Sequence, residues 1–255
     1  FLEIRPYGID GGSRNRQAQV IIALQNEIVR VNLHDGHTTS VAPIPDENGK
    51  VRCNDGKCDP AGHLWVGTMG FGAPKGAGTL YTVSPAGTVT TKLKKVTISN
   101  GIVWSSNKKF MYYNDTPTGK IARYRYDADN GDILFDGIAV TLPGGTGVPD
   151  GMAIDSDDHL WVAQWGGYGV YCYNPYTGEL LAKVEVPAPN VASCAFGGKK
   201  MDTLYITTAR AGLSEEQLRE YPLSGSVFCC KPGVKGSKGQ LFRRIKSPEY
   251  YLSQM

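Results

Sequence analysis

The chain has 255 residues and a formal net charge of +3, with 27 Lys and Arg interspersed among 24 Asp and Glu, which argues against a nucleic-acid partner. Its apolar runs are far shorter than a membrane span, so no membrane partner is expected. The 32 Gly and 15 Pro are spread without a low-complexity tract and indicate many tight turns rather than disorder, in a chain of a size to bury one core, so that 1–255 reads as a single domain.

Taken in order, the chain is strands and turns. Residues 26–33 (NEIVRVNL) alternate and run into His34-Asp35-Gly36, as one arm of a hairpin. The same form recurs at 78–83 (GTLYTV) before Ser84-Pro85-Ala86-Gly87, and at 120–126 (KIARYRY) before 127–131. It appears again at 169–173 (GVYCY) before 174–178, and at 225–230 (GSVFCC) before Lys231-Pro232-Gly233. Glycine in such turns supplies positive φ at no steric cost. One short helix is expected over 214–219 (SEEQLR), opened by a Ser cap with acids in its first turn, as an insertion between strands.

The stretch 51–69 (VRCNDGKCDPAGHLWVGTM) organises the rest. A polar group (Arg52, Asn54, Asp55) precedes a turn (Asp59-Pro60-Ala61-Gly62) and an apolar strand (Leu64-Trp65-Val66). Such side chains are costly to dehydrate beside a buried strand, so they are bonded or face a cavity. Related stretches follow, with the aromatics Trp65, Tyr112, Trp161 and Tyr205 about 47, 49 and 44 residues apart. That is the period of propeller blades, and it predicts an all-β propeller rather than a sandwich. Upstream of each aromatic lies a small or polar step: Asn54-Asp55-Gly56, Ser99-Asn100-Gly101, Pro149-Asp150-Gly151 and Ala192-Ser193-Cys194. Singly, each Asn-Gly or Asp-Gly reads as a turn. Together, at blade spacing and beside Arg52, the oxygens of Asn54, Asn100 and Asp150 converge on the axis of a propeller, a donor set suited to a hard divalent cation.

The remaining candidates read as structure. The six cysteines are expected as buried free thiols; Cys53 and Cys58 have zinc half-site spacing but no matching pair. His63 and His159 hold equivalent turn-to-strand places before Leu-Trp, and His34 and His37 are solvent-facing turn residues. Trp65, Trp104 and Trp161 read as blade core, and Trp165 as bordering the channel mouth. The run Arg243-Arg244-Ile245-Lys246 reads as a solvated end.

Four stretches, RCNDGKCDPAGHLWVGTM, ISNGIVWSSNKKFMYYND, GVPDGMAIDSDDHLWVA and VASCAFGGKKMDTLYITTAR, occur in order between about residues 50 and 235. They resemble the regucalcin family, also called senescence marker protein and gluconolactonase, which includes the luciferin-regenerating enzymes. The resemblance implies a six-bladed β-propeller with one divalent metal in its channel, calcium or alternatively zinc, and hydrolysis of small-molecule sugar lactones. It implies Asn100 and Asp150 as metal ligands, Arg52 and Asn54 as substrate-binding residues, and Asp150 as the general base for water. Asp55 follows the pattern as a loop brace, and Asp115 matches another acid near the channel. The implied setting is cytoplasmic.

This chain also departs from that pattern. The family's further ligand is a glutamate in a Gly-Glu-Gly/Ser-Pro motif of the first blade, and nothing in 1–20 matches it. The first-blade region is therefore expected to be absent or replaced at 1–20, and five hairpins are visible where six blades are implied. An acid expected downstream of Met69 is missing from GFGAPKGAG, which points to a different substrate preference. The resulting expectation is a metal-dependent lactone hydrolase. The alternatives are a calcium-binding regulatory propeller without hydrolysis, and a propeller serving as a protein-binding platform.

Overall fold

Short apolar segments punctuated by glycine turns form five antiparallel sheets in the computed structural model, which describes residues 19–46 and 49–243. The first sheet holds β1 (Gln19–Ala23), β2 (Glu27–Asn32) and β3 (Thr38–Pro43). The second holds β4 (Val51–Cys58), β5 (Leu64–Gly70), β6 (Gly78–Val83) and β7 (Val89–Val96). The third holds β8 (Ser99–Trp104), β9 (Phe110–Asp115), β10 (Lys120–Tyr126) and β11 (Ile133–Thr141). The fourth holds β12 (Val148–Ile154), β13 (Leu160–Trp165), β14 (Gly169–Tyr173) and β15 (Leu180–Glu185). The fifth holds β16 (Val191–Gly197), β17 (Thr203–Thr208) and β18 (Val227–Cys230).

Within each sheet neighbouring strands are consecutive in sequence, and consecutive sheets are joined face to face by shared apolar clusters. Ile28 and Ala42 of the first sheet meet Leu64, Val66 and Val83 of the second. Trp65 and Leu80 meet Ile102 and Trp104. Tyr112 and Ile121 meet Met152 and Leu160, and Trp161 and Val170 meet Val191 and Phe196. A strand covered on both faces reads as a continuous apolar run, which is why β13 is buried along almost its whole length while the outermost β15 is exposed. Trp65, Trp104 and Tyr126 pack edge to face at centroid distances of 5.7 to 6.4 Å, an arrangement favoured by the ring quadrupole.

This is a β-propeller, and the sequence reading of its strands is close. The segments 78–83, 120–126 and 169–173 coincide with β6, β10 and β14. The helix α1 (Glu215–Glu220) sits between β17 and β18, with Ser214 and Gln217 forming a reciprocal capping box. The structure corrects the blade count, the burial of the cysteines and part of the tail. Six blades were implied, whereas the described residues form five sheets, because they supply strands for no more than that. The reading of an altered first blade at 1–20 falls almost wholly outside the described residues. Only Cys172 and Cys194 are buried among the six free thiols, and Cys229 is exposed, because β18 lies at the open edge of a three-stranded sheet and shows alternate residues to solvent. The tail differs in part as well: Phe242 is buried in the cluster between the first two sheets and the Arg243 amide donates to the Gly62 carbonyl at 3.0 Å. Arg244, Ile245 and Lys246 lie outside the described residues.

Candidate functional site

The four strands β4, β8, β12 and β16 stand side by side around the centre, and each carries an irregularity at the same height. The pairing slips between Cys53 and Gly56 in β4, between Asn100 and Ile102 in β8, between Pro149 and Met152 in β12, and between Val191 and Ser193 in β16. A bulge leaves a residue outside the ladder and turns its side chain from the usual alternation. The polar steps noted in the sequence are these bulges, so the single-residue reading of Asn-Gly and Asp-Gly as turns does not hold. Their glycines are needed for close approach instead. A Cβ on Gly101 would lie 2.5 Å from the Asp150 carbonyl oxygen, and one on Gly151 would lie 2.2 Å from Ser193 Oγ.

The bulges bring Arg52, Asn54, Asn100 and Asp150 to one cavity of about 570 Å³, whose wall also includes Thr116 and Trp165. The side chains form a chain of bonds across three strands. Arg52 Nη1 donates to Asn54 Oδ1 at 2.9 Å, and Asn54 Nδ2 donates to Asn100 Oδ1 at 3.2 Å and to the Ser99 carbonyl at 2.8 Å. Asn100 Nδ2 donates to Thr116 Oγ1 at 2.9 Å, which donates in turn to the Pro149 carbonyl at 2.8 Å. The backbone of Asp150 is fixed by Asn114 Nδ2, which donates to its carbonyl at 2.9 Å. Burial, with the Asp55 carboxylate nearby, pushes Asp150 up to about 8.

Asp55 Oδ1 accepts from the Gly56 amide at 2.7 Å, consistent with a brace, and Asp55 also lines the cavity. Asp115 does not line it; its two carboxylate oxygens accept from the Thr97 and Ile98 amides at 3.0 and 2.8 Å, a strand-end bond. Trp165 borders the cavity as expected. Thr116 was not anticipated, and no spacing or composition marks it; only the fold places it between Asn100 and Pro149.

The oxygens of Asn100 and Asp150 fit a hard divalent cation by type, and a carboxyl raised chiefly by burial, with Asp55 adding to it, is one that a positive charge would return toward its ionised form. Soft-ligand chemistry lies elsewhere. Asp155, His159 and Cys172 offer ligand atoms within 4.8 Å of one another, but the Asp155 carboxylate already accepts from the Asp157 and His159 amides at 2.9 Å and from Trp161 Nε1 at 3.0 Å. The second sheet repeats the device: Asp59 accepts from the His63 amide at 2.8 Å and from Trp65 Nε1 at 2.9 Å, with Thr82 opposite Trp65 where Cys172 stands opposite Trp161. The repeat marks both as turn-to-strand clamps, the role expected of His63 and His159.

Comparison with known proteins places these observations in a family. Residues 10–210 match the model of the SMP-30/gluconolactonase/LRE-like region. The chain is 35% identical over 210 residues to the provisionally named sugar lactone lactonase YvrE of Bacillus subtilis, covering 82% of this chain and 72% of that protein. It is 36% identical over 212 residues to the regucalcin of Oryctolagus cuniculus, covering 81% and 71%. In three dimensions it is similar to a calcium-binding protein, regucalcin, of Agrobacterium tumefaciens, with a TM-score of 0.83, 31% identity and coverage of 88% of this chain and 76% of the other. With the family model spanning most of its length, this chain belongs to the SMP-30/gluconolactonase/LRE-like family.

Proposed function

We propose that this protein is a divalent-metal-dependent hydrolase of sugar lactones, with its active site in the cavity shared by Arg52, Asn54, Asn100 and Asp150. One observation carries the reading: three bulged strands direct these four side chains to a single cavity, in a chain whose family supports lactone hydrolysis. Asn100 and Asp150 are the proposed ligands, and a cation held there would supply Lewis acidity at the lactone carbonyl and would acidify water.

The side chains divide the remaining work. Asp150 takes a proton from water as the water oxygen bonds to the carbonyl carbon. Arg52 donates to the oxygen that gains negative charge, and its bond to Asn54 fixes the direction of its guanidinium. The ring C–O bond then breaks, the departing alkoxide takes the proton held by Asp150, and an open-chain hydroxy acid remains. Asn54 holds a substrate hydroxyl, and Trp165 presents an apolar wall to the sugar ring. Calcium is the proposed ion because the donors are all oxygen.

A second reading, a calcium-binding propeller without turnover, is favoured by the likeness to a protein described as calcium-binding. Hydrolysis of a simple sugar lactone separates the two, measured after chelation, after restoring calcium or zinc, and in Asp150→Ala. Turnover abolished by both chelation and substitution supports the hydrolase. Calcium binding with no turnover supports the regulator, and turnover indifferent to chelation sinks the metal-dependent mechanism.

A further inference from the structure

The central strands enclose a second cavity at their opposite ends. It has a volume of about 250 Å³ and lies where β4, β8, β12 and β16 finish, away from the bulges. Residues 237–240 form part of its wall. The segment that carries them crosses from the fifth sheet toward the second: the Gly236 amide donates to the Met201 carbonyl at 2.8 Å, and the Ser237 amide to that of Ile154 at 3.0 Å. Farther along, Arg243 bonds Gly62.

The charge of this cavity is one-sided. Lys57, Lys108 and Lys238 line it, and no Asp or Glu does among the described residues. Lys57 is the inner one. Its ammonium donates to the Met152 carbonyl at 2.9 Å and, among the described residues, forms no salt bridge. An ammonium carries three donors and a full charge, and a neutral carbonyl answers one of those donors and none of the charge. Lys108 and Lys238 are exposed at the mouth. Ile154, Trp104 and Phe196 supply an apolar wall. Cations at the base and rim of a small pocket, with an apolar side, match a compact organic anion.

We propose that this rear cavity is a binding site for a small organic oxyanion, a carboxylate or a phosphate of sugar-acid size, anchored by Lys57 and received by Lys108 and Lys238. The anion pairs with the ammonium of Lys57, and its carbon body rests on Trp104 and Phe196. The site is separate from the proposed catalytic cavity, with which it shares no lining residue.

The test is titration calorimetry on the full chain with calcium present, using gluconate and inorganic phosphate as separate probes. At least one is expected to bind with one-to-one stoichiometry, gluconate marking a carboxylate site and phosphate a phosphate site. Lys57→Met is expected to weaken binding at least tenfold. Lys108→Ala combined with Lys238→Ala, both on the surface, is expected to weaken it several-fold and keeps the test valid if the Lys57 variant does not fold. Arg52→Ala is expected to leave it unchanged. Binding of neither probe, binding indifferent to the lysines, or binding lost in Arg52→Ala would each overturn the proposal. Lactone turnover measured on the same samples reports the other cavity, so failure of one site is not confused with failure of the other.

Discussion

The Asn54 side-chain amide donates to the Asn100 side-chain oxygen at 3.2 Å, joining β4 to β8 through residues 46 apart in sequence. The same amide donates to the Ser99 carbonyl at 2.8 Å, and Asn54 Oδ1 accepts from Arg52. Removing Asn54 thus takes one acceptor from Arg52, which keeps its bond to the Cys53 carbonyl at 3.0 Å, and removes the donor that answers Asn100 Oδ1 and the Ser99 carbonyl. Asn54→Ala is expected to destabilise the fold by about 1–2 kcal/mol, the usual magnitude for lost side-chain bonds of this kind. It is also expected to lower kcat/KM for a sugar lactone by at least about tenfold, since misplacing a positioned donor weakens transition-state binding. Urea unfolding and steady-state kinetics check the two effects. Unchanged kcat/KM would remove Asn54 from the site.

As a proposed calcium ligand, Asp150 would make calcium binding depend on pH. In the metal-free protein its carboxyl is pushed up to about 8 by burial and by Asp55, so below that pH it holds a proton that a cation must displace. The proposed affinity for calcium is expected to fall by up to about tenfold per unit as pH drops below 8, and to level off above it. The stability of the metal-free protein moves in the opposite direction. A carboxyl whose folded value is raised from 3.8 to about 8 favours the metal-free fold at low pH, and that contribution is lost as pH rises between those values. The shift in Tm on adding calcium is therefore expected to be larger at pH 8.5 than at pH 6. Calorimetry in two buffers of different ionisation enthalpy should show close to one proton released at pH 6.5. Release of none would mean that Asp150 does not hold the ion.

Much of this was legible in the sequence because a propeller repeats itself. Trp65, Tyr112 and Trp161 recur at blade spacing since each must fill the same gap between sheets. The polar steps recur for the same reason, so Asn54, Asn100 and Asp150 were readable as one address from the chain alone. Their backbone was not. Asn-Gly reads as a turn by local propensity, and only strand pairing shows Gly101 inside β8, pressed against the Asp150 carbonyl where no side chain fits. Thr116 and Lys57 escaped notice for a related reason. The groups they donate to, the carbonyls of Pro149 and Met152, lie 33 and 95 residues away and are backbone only, although Thr116 also accepts from the Asn100 side chain. Contacts to backbone leave no trace in residue identity.

The clamp at Asp155 separates structural from metal-binding roles. Its carboxylate is fully buried and accepts from two amides and the Trp161 ring nitrogen. Asp155→Asn keeps the size but replaces an acceptor oxygen with a donor that faces other donors, so about 2–4 kcal/mol of stability should be lost. The repeat at Asp59 predicts a loss of the same order for Asp59→Asn, although Thr82 there replaces the thiol. A metal role for the Asp155 group would break that symmetry, because only the fourth sheet supplies Cys172. Zinc is therefore expected to leave the Tm of wild-type protein no more changed than that of Cys172→Thr, and cobalt to give no thiolate charge-transfer band. Calcium affinity should be the same in Cys172→Thr and wild type. A cobalt–thiolate band lost in Cys172→Thr would show instead that the clamp of the fourth sheet has become a metal site.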